Sequence, residues 1–248
     1  MNVNIEVPPD KVADFAIDFD ACKSFVRAGK SGKILLKPVL AVIPILSEAG
    51  QRVVGFVDPL LIGPDTNVSV QVDGAPVRAT PPDENGQFTL YPVPVGTYDL
   101  VITAPGRVNA VMTGVPAVAD STTVIGSVVA RFNPPGSAGN FAAFGKVQVG
   151  ASFENTDGVV RALQSYTGGT TIETGVTNAD AATGEYSMTL PAGAPVTVSY
   201  APNLTAIAFT SDVPRAGLYT LEASVPSQTP KTEDINLTAD VETNFVFP

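Results

Sequence analysis

The chain has 248 residues, 44% hydrophobic and 15% charged, which is enough apolar material for more than one core and too little charge for a solvated disordered tail. A net charge of −10 and a scattered set of 14 Lys and Arg leave no basic stripe for a phosphate backbone, so nucleic acid is not expected as a partner. With no histidine, the chain lacks the Ser-His-Asp and Cys-His nucleophile systems, the commonest general base and the commonest transition-metal ligand.

Residues 1–47 form a first block. Met1 to Asn4 carry neither the cationic nor the apolar region of an export signal, so any signal or lipid anchor is expected outside this chain. The longest apolar run, 34–46, is interrupted by Lys37, Pro38 and Pro44 and is shorter than the roughly 20 residues of a spanning helix. The clearest strand runs from Asp14 to Asp20, with Phe15, Ile17 and Phe19 on one face and Asp14, Asp18 and Asp20 on the other. Asp20 is expected to cap a short helix through Ala28, with Gly29 just past its end. A second strand follows over 33–42, and Pro38 puts it at an edge or a bulge.

Short apolar runs between turn residues predict a seven-stranded sandwich over 48–130, with strands at 53–57, 68–72, 75–80, 87–91, 97–103, 108–113 and 122–130. Asp73-Gly74 marks a hairpin and 81–86 a turn. Residues 131–142, with Asn133, Pro134, Pro135 and Gly136, predict a linker. Over 143–248 the theme repeats: Gly184-Glu185-Tyr186 answers Gly86-Gln87-Phe88, and Gly217-Leu218-Tyr219 answers Gly96-Thr97-Tyr98. The second copy carries an insertion over 190–212, with strand candidates at 196–200 and 204–210. The expected fold is all-β, two tandem Greek-key β-sandwiches after a short β-rich remnant.

The segments Gly86 to Phe88, Pro92 to Gly96 and Tyr98 to Ala104 resemble the carboxypeptidase-regulatory-like or transthyretin-like modules of secreted proteins. Asp18-Phe19-Asp20-Ala21-Cys22-Lys23-Ser24, Gly29, Leu35-Leu36-Lys37-Pro38-Val39 and Gly55-Phe56-Val57-Asp58-Pro59 resemble the C-terminal end, and the exit, of the bacterial lipoprotein domain of unknown function 4382. The resemblance implies a lipid-anchored protein of the bacterial cell envelope, outer-membrane, periplasmic or surface-exposed, with no catalytic residue to carry over. It implies an envelope protein or a glycan as partner, and membrane contact only through a lipid anchor outside this chain. The first block would then be the end of a larger β-domain. Residues 1–47 are therefore expected either to dock on 53–130, burying Phe15 and Phe19, or to self-associate by strand pairing with a second copy.

The remaining chemistry is that of oxygen ligands. Asp14, Asp18 and Asp20 could converge on calcium, but alternating aspartates on the wet face of a strand need no ligand, and neither metal nor cofactor is expected. Asn178, Asp180 and Glu185 supply three oxygens where calcium takes about six to eight, and they are also the residues a hairpin loop uses. Cys22 beside Lys23 could be a reactive thiol, although a lone cysteine usually packs as a small hydrophobe. Sugar recognition needs exposed aromatic faces; with no Trp in the chain, Tyr166 and Tyr200, outside the repeated motif, are the candidates. The sequence thus reads as a non-catalytic structural or interaction module of the envelope, with a carbohydrate-binding module as the alternative and a carboxylate enzyme third.

Overall fold

A computed structural model describes residues 14–19, 24–29, 32–45, 51–154 and 156–248. The first block holds β1 (Asp14–Phe19), β2 (Phe25–Ala28), β3 (Lys33–Leu36) and β4 (Leu40–Ile45), paired antiparallel as β1 with β4 and β2 with β3. The start of the helix expected from Asp20 through Ala28 lies outside the described residues, and its end is strand β2, in which Val26 is buried between exposed Phe25 and Arg27, a period of two that pairing with β3 imposes. Gly29 does take a left-handed conformation, φ +65°, as the turn of this ribbon. The strand expected over 33–42 is split around Pro38, and the break is held by Lys37 and Val39 N–H donating to the carbonyl and hydroxyl of Ser24. Of the two rings expected to be buried by docking, Phe15 is half-buried and Phe19 is 41% exposed. Arg78 reaches Asp18 at 2.7 Å, whereas the β2–β3 ribbon sits on the second sandwich.

Seven strands follow: β5 (Arg52–Phe56), β6 (Asn67–Val72), β7 (Ala75–Thr80), β8 (Gln87–Leu90), β9 (Gly96–Thr103), β10 (Ala110–Ala117) and β11 (Thr122–Ile125). They stack as two sheets, ordered β11-β5-β8 and β10-β9-β6-β7. Alternation sends Val68 and Val70 of β6, and Tyr98, Leu100 and Ile102 of β9, into one core with Phe88, Leu90 and Met112. Phe132 completes that core, fully buried and bridged to Val57, so part of the expected linker belongs to the first sandwich.

The remaining strands are β12 (Asn140–Val149), β13 (Val159–Ser165), β14 (Thr171–Asn178), β15 (Glu185–Pro191), β16 (Val196–Ser199), β17 (Thr210–Ser211), β18 (Leu218–Ser224), β19 (Lys231–Asn236), β20 (Val241–Glu242) and β21 (Phe245–Phe247). Their sheets run β15-β12-β20, with β21 continuing along β12, and β14-β13-β18-β19. Strand for strand this is the order of the first sandwich. Val57 N–H donates to the Gly86 carbonyl and Val147 N–H to the Gly184 carbonyl, both at 2.8 Å. Both glycines have positive φ, and a Cβ on either would run into the carbonyl of that same valine, so local backbone geometry requires the repeated glycine. The two corner tyrosines also match: Tyr98 OH donates to the Pro94 carbonyl and Tyr219 OH to the Pro191 carbonyl, each at 2.7 Å.

The insertion leaves its own sandwich. β16 pairs in parallel with β10, from Ala110↔Val196 to Thr113↔Ser199, and β17 pairs with β16. Val196 is buried in the first core, and Val198, Tyr200, Leu204, Ile207 and Phe209 pack against it. The expected boundary of the second sandwich is therefore crossed: the insertion completes the first sheet, because β10 offers an apolar edge of Ala110, Val111 and Met112 that water would otherwise cover.

Candidate functional site

The outer face of the β6-β9-β10 sheet is covered by β13 and β14. Val101 and Val111 meet Tyr166 and Ile172 in a separate buried cluster. Polar groups around it are satisfied across the seam. Gln71 Nε2 donates to the Glu173 carbonyl and Gln71 Oε1 accepts from the Glu173 N–H, both at 2.8 Å. Asn109 Nδ2 donates to Gln164 Oε1 at 2.8 Å and to Tyr219 OH at 3.0 Å. Arg161 spans the Glu173 and Glu222 carboxylates and the Gly74 carbonyl at the β6–β7 turn. Burial pushes the Arg161 pKa down, and its two glutamate partners outweigh that effect, leaving it above the ordinary value.

Tyr166 belongs to this seam. Its hydroxyl donates to Asp99 Oδ2 at 2.6 Å, and burial, followed by the Asp99 hydrogen bond and charge, pushes its pKa up to about 12. A ring only 6% exposed offers no face to a sugar. Tyr200 is half-buried against the first core, and its N–H donates to the Thr113 carbonyl at 2.9 Å, so the structure does not bring Tyr166 and Tyr200 together as a platform.

Asn178 and Asp180 build a turn and hold the first block. Asp180 accepts from Ala182 N–H at 2.8 Å and Thr183 N–H at 3.0 Å, as Asp83 accepts from Asn85 and Gln87 N–H in the first sandwich. It also accepts from Gly29 N–H, at 2.9 Å to Oδ1 and 2.8 Å to Oδ2. Ala181 N–H donates to the Arg27 carbonyl at 2.7 Å and Asn178 Nδ2 to the Phe25 carbonyl at 3.0 Å, so the ribbon adds to this turn much as a strand would. Burial raises the Asp180 pKa, and the three N–H donors more than offset it, holding the carboxyl below its ordinary value. Glu185 pairs instead with Lys146 at 3.3 Å. Between ribbon and sandwich lies an open groove of about 860 Å³, lined by Phe25, Arg27, Phe144, Lys146, Glu185 and Glu242 among others.

Asp18 is paired with Arg78, Asp14 lies in β1, and Asp20 and Cys22 fall outside the described residues. Among the described residues no group of three or more His, Cys, Asp or Glu could hold a metal ion, and no helix is long and apolar enough to cross a membrane. Gln71, Asn109, Arg161 and Glu173 were missed in the sequence because polar residues alternating with valines read as a wet face. The one signal was Leu100-Val101-Ile102, an unbroken apolar run typical of a strand buried on both faces.

No protein-family model and no curated protein matches the chain. Among solved structures it is similar to a chain of a type II cohesin-X-dockerin complex from Acetivibrio cellulolyticus, at 23% identity over 30% of this chain and 52% of that one, with a TM-score of 0.25. It is also similar to a streptococcal ancillary pilin, at 13% identity over 89% of this chain and 74% of that one, TM-score 0.26. The Bacillus anthracis TIE protein is similar at 10% identity over 97% of this chain and 44% of that one, TM-score 0.25. TM-scores of this size carry no functional weight, and the sandwich architecture stands on the strand order of the chain itself.

Proposed function

We propose that the chain is a non-catalytic structural and interaction module of a bacterial cell envelope, in which two sandwiches act as one stiff spacer. The observation that carries this reading is the seam. Buried Gln71 of the first sandwich satisfies the Glu173 backbone of the second, Arg161 of the second reaches the Gly74 carbonyl of the first, and β16 of the second completes the sheet of the first, so hinge motion would strand buried polar groups. The lack of histidine in the sequence supports a non-catalytic role. The lipoprotein-like run Asp18 to Ser24 supports the envelope. Cells producing the gene product with its own upstream sequence should incorporate a palmitate analogue and yield it in the envelope fraction. Unlabelled protein confined to the cytosol would overturn the envelope reading. Spin labels at exposed Asn85 and Ser227 should give one narrow distance distribution, and a broad one would overturn the stiff spacer.

The groove favours a second reading, recognition of a glycan, because Phe25 is 51% and Phe144 37% exposed beside Arg27 and Glu242. On this reading a sugar packs against Phe25 and Phe144, in place of the Tyr166 and Tyr200 expected from the sequence. Saturable binding on a glycan array that is lost in Phe144→Ala supports it, and the absence of any binding removes it.

A further inference from the structure

In both sandwiches the first and last strands are parallel neighbours. β11 lies beside β5 from Thr122↔Arg52 to Ile125↔Gly55, and Phe132 bridges Val57 in the same sense further along. β20 and β21 lie beside β12, from Ala143↔Val241 to Val149↔Phe247. A pull on the start of the first strand and the end of the last acts on two parallel neighbours in opposite directions. All the hydrogen bonds between them are then loaded together, in shear. An antiparallel pair pulled from one end instead opens bond by bond, each small step relaxing the load.

Each clamp is also sealed by buried aromatics, Phe132 at the end of the first and Phe245 and Phe247 along the second, which keep competing water from its hydrogen bonds. A third parallel pair, β16 on β10, ties the sandwiches together, so separating them means drawing Val196 out of the first core.

From this geometry we propose a further function: the chain carries tension along its length, with two shear-loaded clamps in series. The inference stands on strand topology and goes beyond the envelope reading, so a failed lipid-labelling experiment leaves it intact.

Single-molecule pulling of the full chain by handles at its two termini tests the proposal. Abrupt ruptures are expected, together releasing about 660 Å for residues 52–132 and 140–247 at roughly 3.5 Å per residue, with the two releases linked through β16 on β10. The comparison uses thiol handles at Asn140→Cys and Ala192→Cys in a Cys22→Ser background, beside the Asn140↔Pro191 end of the antiparallel β12–β15 pair. In that geometry the second sandwich should open at less than half the rupture force, although the fold is the same. Equal forces in the two geometries, or end-to-end extension without discrete ruptures, would overturn the proposal.

Discussion

The carboxamide of Gln71 pairs with the backbone of Glu173 as a neighbouring strand would, donating to its carbonyl and accepting from its N–H across 102 positions of sequence. Gln71 is 2% exposed, so Gln71→Ala strands a donor and an acceptor where water cannot replace them. The expected loss is about 2 kcal/mol or more, a fall in Tm of roughly 4 to 8 °C in a chain of this size. Thermal unfolding followed by circular dichroism measures it, and a shift under 1 °C would show that the pairing contributes nothing.

Arg161 holds the carboxylate of the same glutamate whose backbone Gln71 holds. The two contacts share a partner, so their losses should not add. A double-mutant cycle of Gln71→Ala and Arg161→Ala in urea is expected to give a coupling energy of at least about 0.5 kcal/mol. Strict additivity would mean that the two ends of Glu173 act independently.

The corner tyrosines differ in what their hydroxyls carry. Tyr98 OH serves the Pro94 carbonyl alone, whereas Tyr219 OH serves Pro191 and also accepts from Asn109 across the seam. Tyr98→Phe should cost about 1 kcal/mol and Tyr219→Phe about 2, since both leave a proline carbonyl without its donor but only the latter also leaves buried Asn109 short of an acceptor. Equal losses would argue against a seam contribution from Tyr219.

Docking of the β2–β3 ribbon should be acid-sensitive through Asp180. Its carboxyl is held below the ordinary value, so its stabilisation is fully present above the unfolded pKa of about 3.9 and is lost as pH falls through the lower folded value. Amide resonances of Gly29 and Thr183 should therefore hold steady from pH 7 to 5 and move together only below about pH 3.9. In Asp180→Asn the Gly29 resonance should already be displaced at neutral pH and show no such step. A Gly29 midpoint above 4.5 in the parent chain would contradict the assignment.

Residues 140–248 produced alone lack the β10 edge on which β16 lies. Val196, Val198, Ile207 and Phe209 then face water, so the fragment is expected to bind a hydrophobic dye and to self-associate in sedimentation. Replacing residues 194–212 by a short Gly-Ser link should restore a monomer. A monomeric, dye-negative parent fragment would show that the insertion packs on its own sandwich.

Much of the fold was legible because it is written locally. The strand expected over 75–80 is β7, and those expected over 53–57 and 97–103 match β5 and β9 to within a residue, since period-two alternation and turn residues act over a few neighbours. The repeat was legible for the same reason: a positive φ at Gly86 and Gly184 and a buried ring two residues on are requirements within one turn. The end of the helix expected through Ala28 went the other way, because Phe25 to Ala28 pair with β3.

What the sequence determined by itself is that this is an all-β chain of two related sandwiches, and that the insertion carries a strand candidate at 196–200. Only the tertiary structure decided where that strand pairs. Hydrophobicity sets the gain from leaving water and says nothing about which surface receives it. Two equivalent edges were available, and the apolar β10 took the strand, while β19, with exposed Lys231, Thr232 and Glu233, did not. Ser69 and Gln71 likewise became buried because a second sheet covers their face, and a polar side chain there is stable only because its partner arrives from the other sandwich.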